Sequence, residues 1–108
     1  MEEDFSKSKP VIRLKKKLGI ETLWIFLLAE LKDSDDYPYS LRLRIREKFG
    51  FDPGTVMPYV VLKKLERDGY VSSYKRDGKR YYRITERGVK LLNSGINYLK
   101  KVIYFLEH

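Results

Sequence analysis

The chain has no cysteine, no glutamine, one tryptophan and one histidine among its 108 residues. Without cysteine it can form neither a disulfide nor a thiolate metal site. The single histidine, His108, is the last residue, where a helix end frays, so no histidine-centred acid–base or metal chemistry is expected. No P-loop or dinucleotide fingerprint occurs, and no nucleophile stands with a base. Asp33, Asp35 and Asp36 cluster without the glycine-shaped loop of a calcium site and read as a solvated loop. The expectation is a protein that is not an enzyme and needs no metal or cofactor. The longest apolar run, residues 23–29, is far too short to span a bilayer. Met1 is followed by Glu2, Glu3 and Asp4, which is unlike a signal peptide. A cytoplasmic protein with no membrane partner is expected.

What is present is positive charge, unevenly spread. Residues 1–36 carry seven Lys or Arg against eight Asp or Glu, a sum of −1. Residues 37–108 carry sixteen against seven, a sum of +9, so the whole chain is at +8. Such asymmetry points to a polyanionic partner. A length of 108 residues suits one domain.

Residues 1–9 read as a mobile polar tail. Val11, Leu14 and Leu18 recur at helical spacing, which predicts a short helix or basic arm over 10–18 with Gly19 as its stop. Residues 20–32 form the most apolar helical stretch. Trp24 within it has two readings: a core residue, or a wall of a pocket for a small, flat aromatic effector. Residues 40–49 alternate like a strand, yet Leu41, Ile45 and Phe49 also fit a helix, with Ser40 as N-cap and Gly50 as stop. The helical reading is favoured. Pro53 and Pro58 set the next helix: with Thr55 as N-cap, Pro58 falls in the first turn, where no N–H bond is needed. That helix covers residues 55–68, with an inner face of Pro58, Val61, Leu62 and Leu65 and a left-handed stop at Gly69.

A hairpin follows. Asp77-Gly78 suits a two-residue type I′ turn, which pairs Val71 with Ile84, Ser73 with Tyr82, and Tyr74 with Tyr81. Apolar then meets apolar on one face, so turn and hydrophobic pattern agree on the register. The same register sets Lys75 opposite Arg80 and Arg76 opposite Lys79. Like charges directly opposed destabilise a ribbon, and a phosphate backbone beside them would relieve that repulsion. Thr85 caps a last helix reaching residue 108, whose apolar positions run to its final turn.

Helix, helix, helix, hairpin, long helix describes an α+β, mostly helical winged helix-turn-helix. The expected division is a tail over 1–9, a winged-helix DNA-binding domain over 10–84 and a dimerisation helix over 85–108. Thr55, Val56, Met57, Tyr59 and Lys63 are the candidates for reading bases of double-stranded DNA. Arg42, Arg44, Arg46, Lys64, Lys75, Arg76, Lys79 and Arg80 are the candidates for its backbone, with the basic wing at 71–84. Leu91, Leu92, Ile96, Leu99, Val102, Ile103 and Leu106 are the candidates for contact with a second copy. The other reading is a winged-helix interaction module within a larger nucleic-acid-processing assembly.

Residues 55–91 also carry a family likeness. The segments TVMPYVVLKKLERDGYVSSY and RYYRITERGVKLL resemble the PadR family of transcriptional regulators. The matching residues are Tyr59, Leu62, Leu65, Glu66 and Gly69 on the helix, then Tyr82, Ile84, Thr85 and Gly88 after the wing turn. Pro58 and Val60 depart from the family pattern, which often has proline at the second of these positions. The resemblance implies a dimeric winged-helix repressor with one C-terminal helix, binding promoter DNA and, in some members, an effector.

Overall fold

The computed structural model describes residues 3–108, so residues 1–2 of the expected tail lie outside it. Its elements in order are α1 (Lys9–Glu21), α2 (Leu23–Asp33), α3 (Pro38–Phe49), α4 (Met57–Arg67), β1 (Val71–Arg76), β2 (Lys79–Ile84) and α5 (Glu86–Glu107). α2 is the central post. Leu23, Leu27, Leu28 and Leu31 from it meet Leu41 and Ile45 of α3, Leu62 and Leu65 of α4, Val71 and Tyr82 of the hairpin, and Leu92 of α5. The arrangement is the expected winged helix-turn-helix with a long terminal helix.

The hairpin register is the expected one, from Val71↔Ile84 to Arg76↔Lys79. Asp77 and Gly78 both adopt positive φ, 52° and 75°, as a type I′ turn requires. The last helix starts as its sequence predicts: the Thr85 hydroxyl accepts from the Gly88 N–H at 3.1 Å and donates to the Gly69 carbonyl at 2.8 Å. One threonine thus closes α5 and ties it to the end of α4.

Four local expectations are corrected. Gly19 does not stop a helix: α1 runs through it to Glu21, and an added Cβ would sit 2.5 Å from the Phe51 ring. It is a packing glycine, admitting an aromatic ring against the helix backbone. The break falls instead at Thr22, so Ile20 belongs to α1. Ser40 is not the N-cap of α3, which begins at Pro38; its hydroxyl donates to Asp36 Oδ2 at 2.6 Å. Thr55 is not the N-cap of α4 either, since a turn over 54–56 precedes Met57 and Val56 takes the cap position. Pro58 still falls in the first turn, as its missing N–H demands.

The acidic loop is the fourth correction, because it is not merely solvated. Asp36 is buried, and with Glu30 (2% exposed) it flanks Arg44. The Arg44 guanidinium donates to Asp36 Oδ2 at 2.8 Å and lies 3.2 Å from Glu30 Oε1, while Lys48 reaches Glu30 at 3.1 Å. Buried carboxylates are tolerable only when paired in this way. Arg44→Ala is expected to cost about 2 kcal/mol in urea unfolding, less than a fully buried pair because Lys48 still compensates Glu30.

Arg42 has a parallel task. It holds Asp52 through two bonds of 2.7 and 2.8 Å, and Asp52 Oδ1 also accepts from the Gly54 N–H at 2.9 Å. The loop into α4 is thereby pinned to α3. The Arg42 bond, followed by the Gly54 bond, holds the Asp52 carboxyl well below the usual carboxylate range. A depressed pKa stabilises the fold above the ordinary Asp range and loses that contribution as pH falls through the lowered value. An NMR titration is expected to find Asp52 still ionised at about pH 3, where a free Asp is mostly protonated.

Candidate nucleic-acid interface

α4 and the wing share one side of the molecule, and the link between them is built from residues 35–37. Asp36 makes a one-residue antiparallel bridge with Tyr82, N–H to carbonyl at 3.2 and 2.8 Å. Asp35 accepts from the Tyr74 hydroxyl at 2.8 Å and from Arg83 Nε at 3.1 Å. Tyr74 stacks on Tyr81 at 5.8 Å, and Tyr37 meets Tyr81 edge-on at 5.4 Å. The acidic loop therefore anchors the wing by backbone, charge and aromatic contact together. Hydrogen bonding to Asp35 raises the Tyr74 hydroxyl above the ordinary tyrosine pKa, so this anchor persists below that range and is lost as pH rises through the raised value.

Beyond the anchor the wing tip stands free. Lys75, Arg76, Asp77, Gly78, Lys79 and Arg80 are all exposed. The register sets Lys75 against Arg80 and Arg76 against Lys79, as expected. Two of these side chains also have contacts nearby. Lys79 swings over the Tyr37 ring at 4.6 Å, and Arg80 donates to Ser73 Oγ at 3.0 Å. Ser73 in turn donates to Glu66 on α4, which braces the wing against that helix.

Between the start of α3, the flank of α4 and β2 lies a groove of about 730 Å³. Tyr37, Pro38, Tyr39, Tyr59, Lys63, Lys79, Arg80 and Tyr82 line it. No carboxylate does so among the described residues. Tyr37 and Tyr39 were missed in the sequence, where nothing marks them as neighbours of α4. On α4 the inner face is Pro58, Val61, Leu62 and Leu65, as its periodicity predicts. Thr55, Val56, Met57, Tyr59, Lys63 and Lys64 are exposed. Arg46 is exposed too, with a loose ion pair to Asp52 at 3.9 Å, whereas the donors of Arg42 and Arg44 are closely engaged by Asp52, Glu30 and Asp36. The guanidinium groups of those two expected backbone clamps are thus paired within the fold.

Trp24 is half-buried against the core, and Gly95 approaches it so closely that an added Cβ would lie 2.8 Å from the indole. It also borders a shallow hollow of about 330 Å³ with Val61, Lys64, Leu65, Asp68, Tyr70 and Leu91.

α5 divides in two. Leu92, expected at a dimer contact, is 1% exposed and belongs to the protomer's own core. Leu91, Ile96 and Leu99 are half-buried against that core. Beyond them Tyr98, Ile103, Tyr104, Phe105 and Leu106 are exposed, and Val102 is half-buried. Ile12, Leu14 and Leu18 of α1 are exposed as well. Among the described residues no helix is long and apolar enough to cross a membrane, and no acidic or histidine cluster suits a metal ion.

The model of the transcriptional regulator PadR-like family matches residues 27–94. Among solved structures, a transcriptional regulator from Clostridium thermocellum superposes with a TM-score of 0.76 at 23% identity, covering 84% of this chain and 95% of its own. A PadR-family transcriptional regulator from Eggerthella lenta gives 0.75 at 21% identity, over 95% and 90%. F93 from STIV, a winged-helix DNA-binding protein, gives 0.68 at 20% identity, over 77% and 91%. No curated protein sequence matches significantly.

Proposed function

The chain belongs to the transcriptional regulator PadR-like family, and from that premise we propose that it is a cytoplasmic, homodimeric transcriptional repressor that binds double-stranded DNA sequence-specifically. α4 enters the major groove with Thr55, Val56, Met57, Tyr59 and Lys63 at or near its leading end. Arg46, Lys64, Lys75, Arg76, Lys79 and Arg80 supply cations to the phosphates. The observation that carries this reading is the wing tip, where two like-charged pairs face each other in the open beside α4. Phosphates there would neutralise the repulsion and release counterions.

Dimerisation is supported by the distal half of α5. Leu106 is 80% exposed and Phe105 67%, on the same helix end as Tyr98 and Ile103. A contiguous apolar end of this kind is costly in water, and a second copy would cover it. A two-fold pair would also set two α4 helices on successive turns of DNA. The hollow beside Trp24 is the proposed place for a small aromatic effector.

Sedimentation of the chain alone and with a promoter duplex tests this. The expected result is a particle of twice the 12.9 kDa chain mass, and two chains per duplex in the complex. A stable monomer would favour the interaction module instead, with α5 docked on a different protein. Leu106→Asp together with Phe105→Asp is expected to yield a folded monomer, because both side chains lie outside the protomer core.

A further inference from the structure

α4 presents two different surfaces. At 3.6 residues per turn, residues 59, 63 and 66 form one ridge and residues 56 and 60 another. The first ridge faces the wing: Tyr59 and Lys63 line the groove, and Glu66 accepts from Ser73 of β1. Val56, Met57 and Val60 do not line it, and they are 68%, 37% and 37% exposed. Three exposed apolar side chains therefore crown the leading end of a helix whose flank is polar.

These surfaces fit different parts of a duplex. The groove offers hydroxyls and cations with no opposing carboxylate, which matches a sugar–phosphate strand. Hydroxyls and lysine can bond phosphate whatever the base. The crown has no hydrogen-bond donor and only the weak thioether acceptor of Met57, so it is poorly suited to polar base edges. Its one complementary feature in the major groove is the thymine C5-methyl group.

We infer that the groove between α3, α4 and β2 grips one backbone strand through Tyr59, Tyr39, Lys63 and Arg80, while Val56, Met57 and Val60 read thymine methyl groups. This rests on the DNA-binding reading above and divides its contacts: Tyr59 and Lys63 move from base reading to the backbone. Sequence preference is then for thymine at a few positions, supplemented by the shape of the duplex.

The test uses the full chain and a duplex selected by it from random DNA. Deoxyuridine replaces thymidine one position at a time, removing only the methyl group. Binding is expected to weaken about three- to fourfold at each contacted thymine, the value of one buried methyl. In parallel, Tyr59→Phe is expected to weaken selected and unselected duplexes alike, by about fivefold, with no change in salt slope. Lys63→Ala should lower that slope by about one per bound chain. If no thymine methyl matters, or Tyr59→Phe harms only the selected duplex, the division is overturned. If no duplex binds with a salt-dependent affinity, the DNA-binding reading itself has failed, and the inference fails with it.

Discussion

Replacing Arg76, Lys79 and Arg80 by alanine is expected to weaken binding to every duplex by about 10²- to 10³-fold per bound chain at 0.1 M salt. Each phosphate contact contributes a slope near −0.9 in log affinity against log salt, hence about 0.9 decade between 0.1 and 1 M. Three lost contacts on each chain remove about 2.7 decades per bound chain and flatten the slope by the same figure for each. Folding should be spared. The three side chains are exposed, and removing them leaves no like-charged pair at the tip, since Lys75 alone remains. The prediction thus separates stability from function: the variant melts no lower than the parent and binds far more weakly. Filter binding on a selected and an unselected duplex would check it. Loss on the selected duplex alone would mean that the wing reads sequence.

The second large effect is on stability. Gly88→Ala is expected to cost at least about 3 kcal/mol, measured by urea unfolding. In an ordinary exposed helix the same change is favourable by roughly 1 kcal/mol. Here the sign reverses because the first turn of α5 presses on the chain leaving α4. An added Cβ would lie 2.1 Å from the Tyr70 carbonyl oxygen and 2.8 Å from Ile84. The carbonyl cannot easily retreat, since it accepts from the Thr85 N–H at 3.1 Å. Gly88 is the last of the matching residues Tyr82, Ile84, Thr85 and Gly88, and in this chain a steric need accounts for the glycine there. A variant as stable as the parent would show that the junction yields more readily than its packing suggests.

The parts of the fold legible in the sequence are those fixed by local chemistry. Asp77-Gly78 determines its own turn, the turn fixes the register, and the register sets Val71 and Ile84 on the face that packs inward. Thr85 and Gly69 declare helix ends because a cap oxygen and a left-handed residue act within a few positions. What was not legible depends on partners distant in sequence. Gly19 looks like a stop until Phe51 is seen against it. Asp36 looks solvated until Arg44, Ser40 and Tyr82 close around it. Arg42 and Arg44 read as DNA clamps because a sequence shows their charge but not the carboxylates that occupy them.

The candidate interface divides by the same rule. The wing's cations follow from strand alternation, whereas the groove needs α3, α4 and β2 brought together, so Tyr37 and Tyr39 had no signal. Leu92 could not be told from Ile103 or Leu106 by periodicity, since all lie on one apolar diagonal of α5. Only the length of the core decides where own-chain packing ends and exposed surface begins.

The central claim is that the wing and α4 bind a duplex chiefly through its phosphates. The most direct measurement is the affinity of the intact chain for a promoter duplex across a salt series. Six to eight neutralised phosphates per bound chain predict a log–log slope of about −5 to −7 for each chain. A slope near zero would contradict the account.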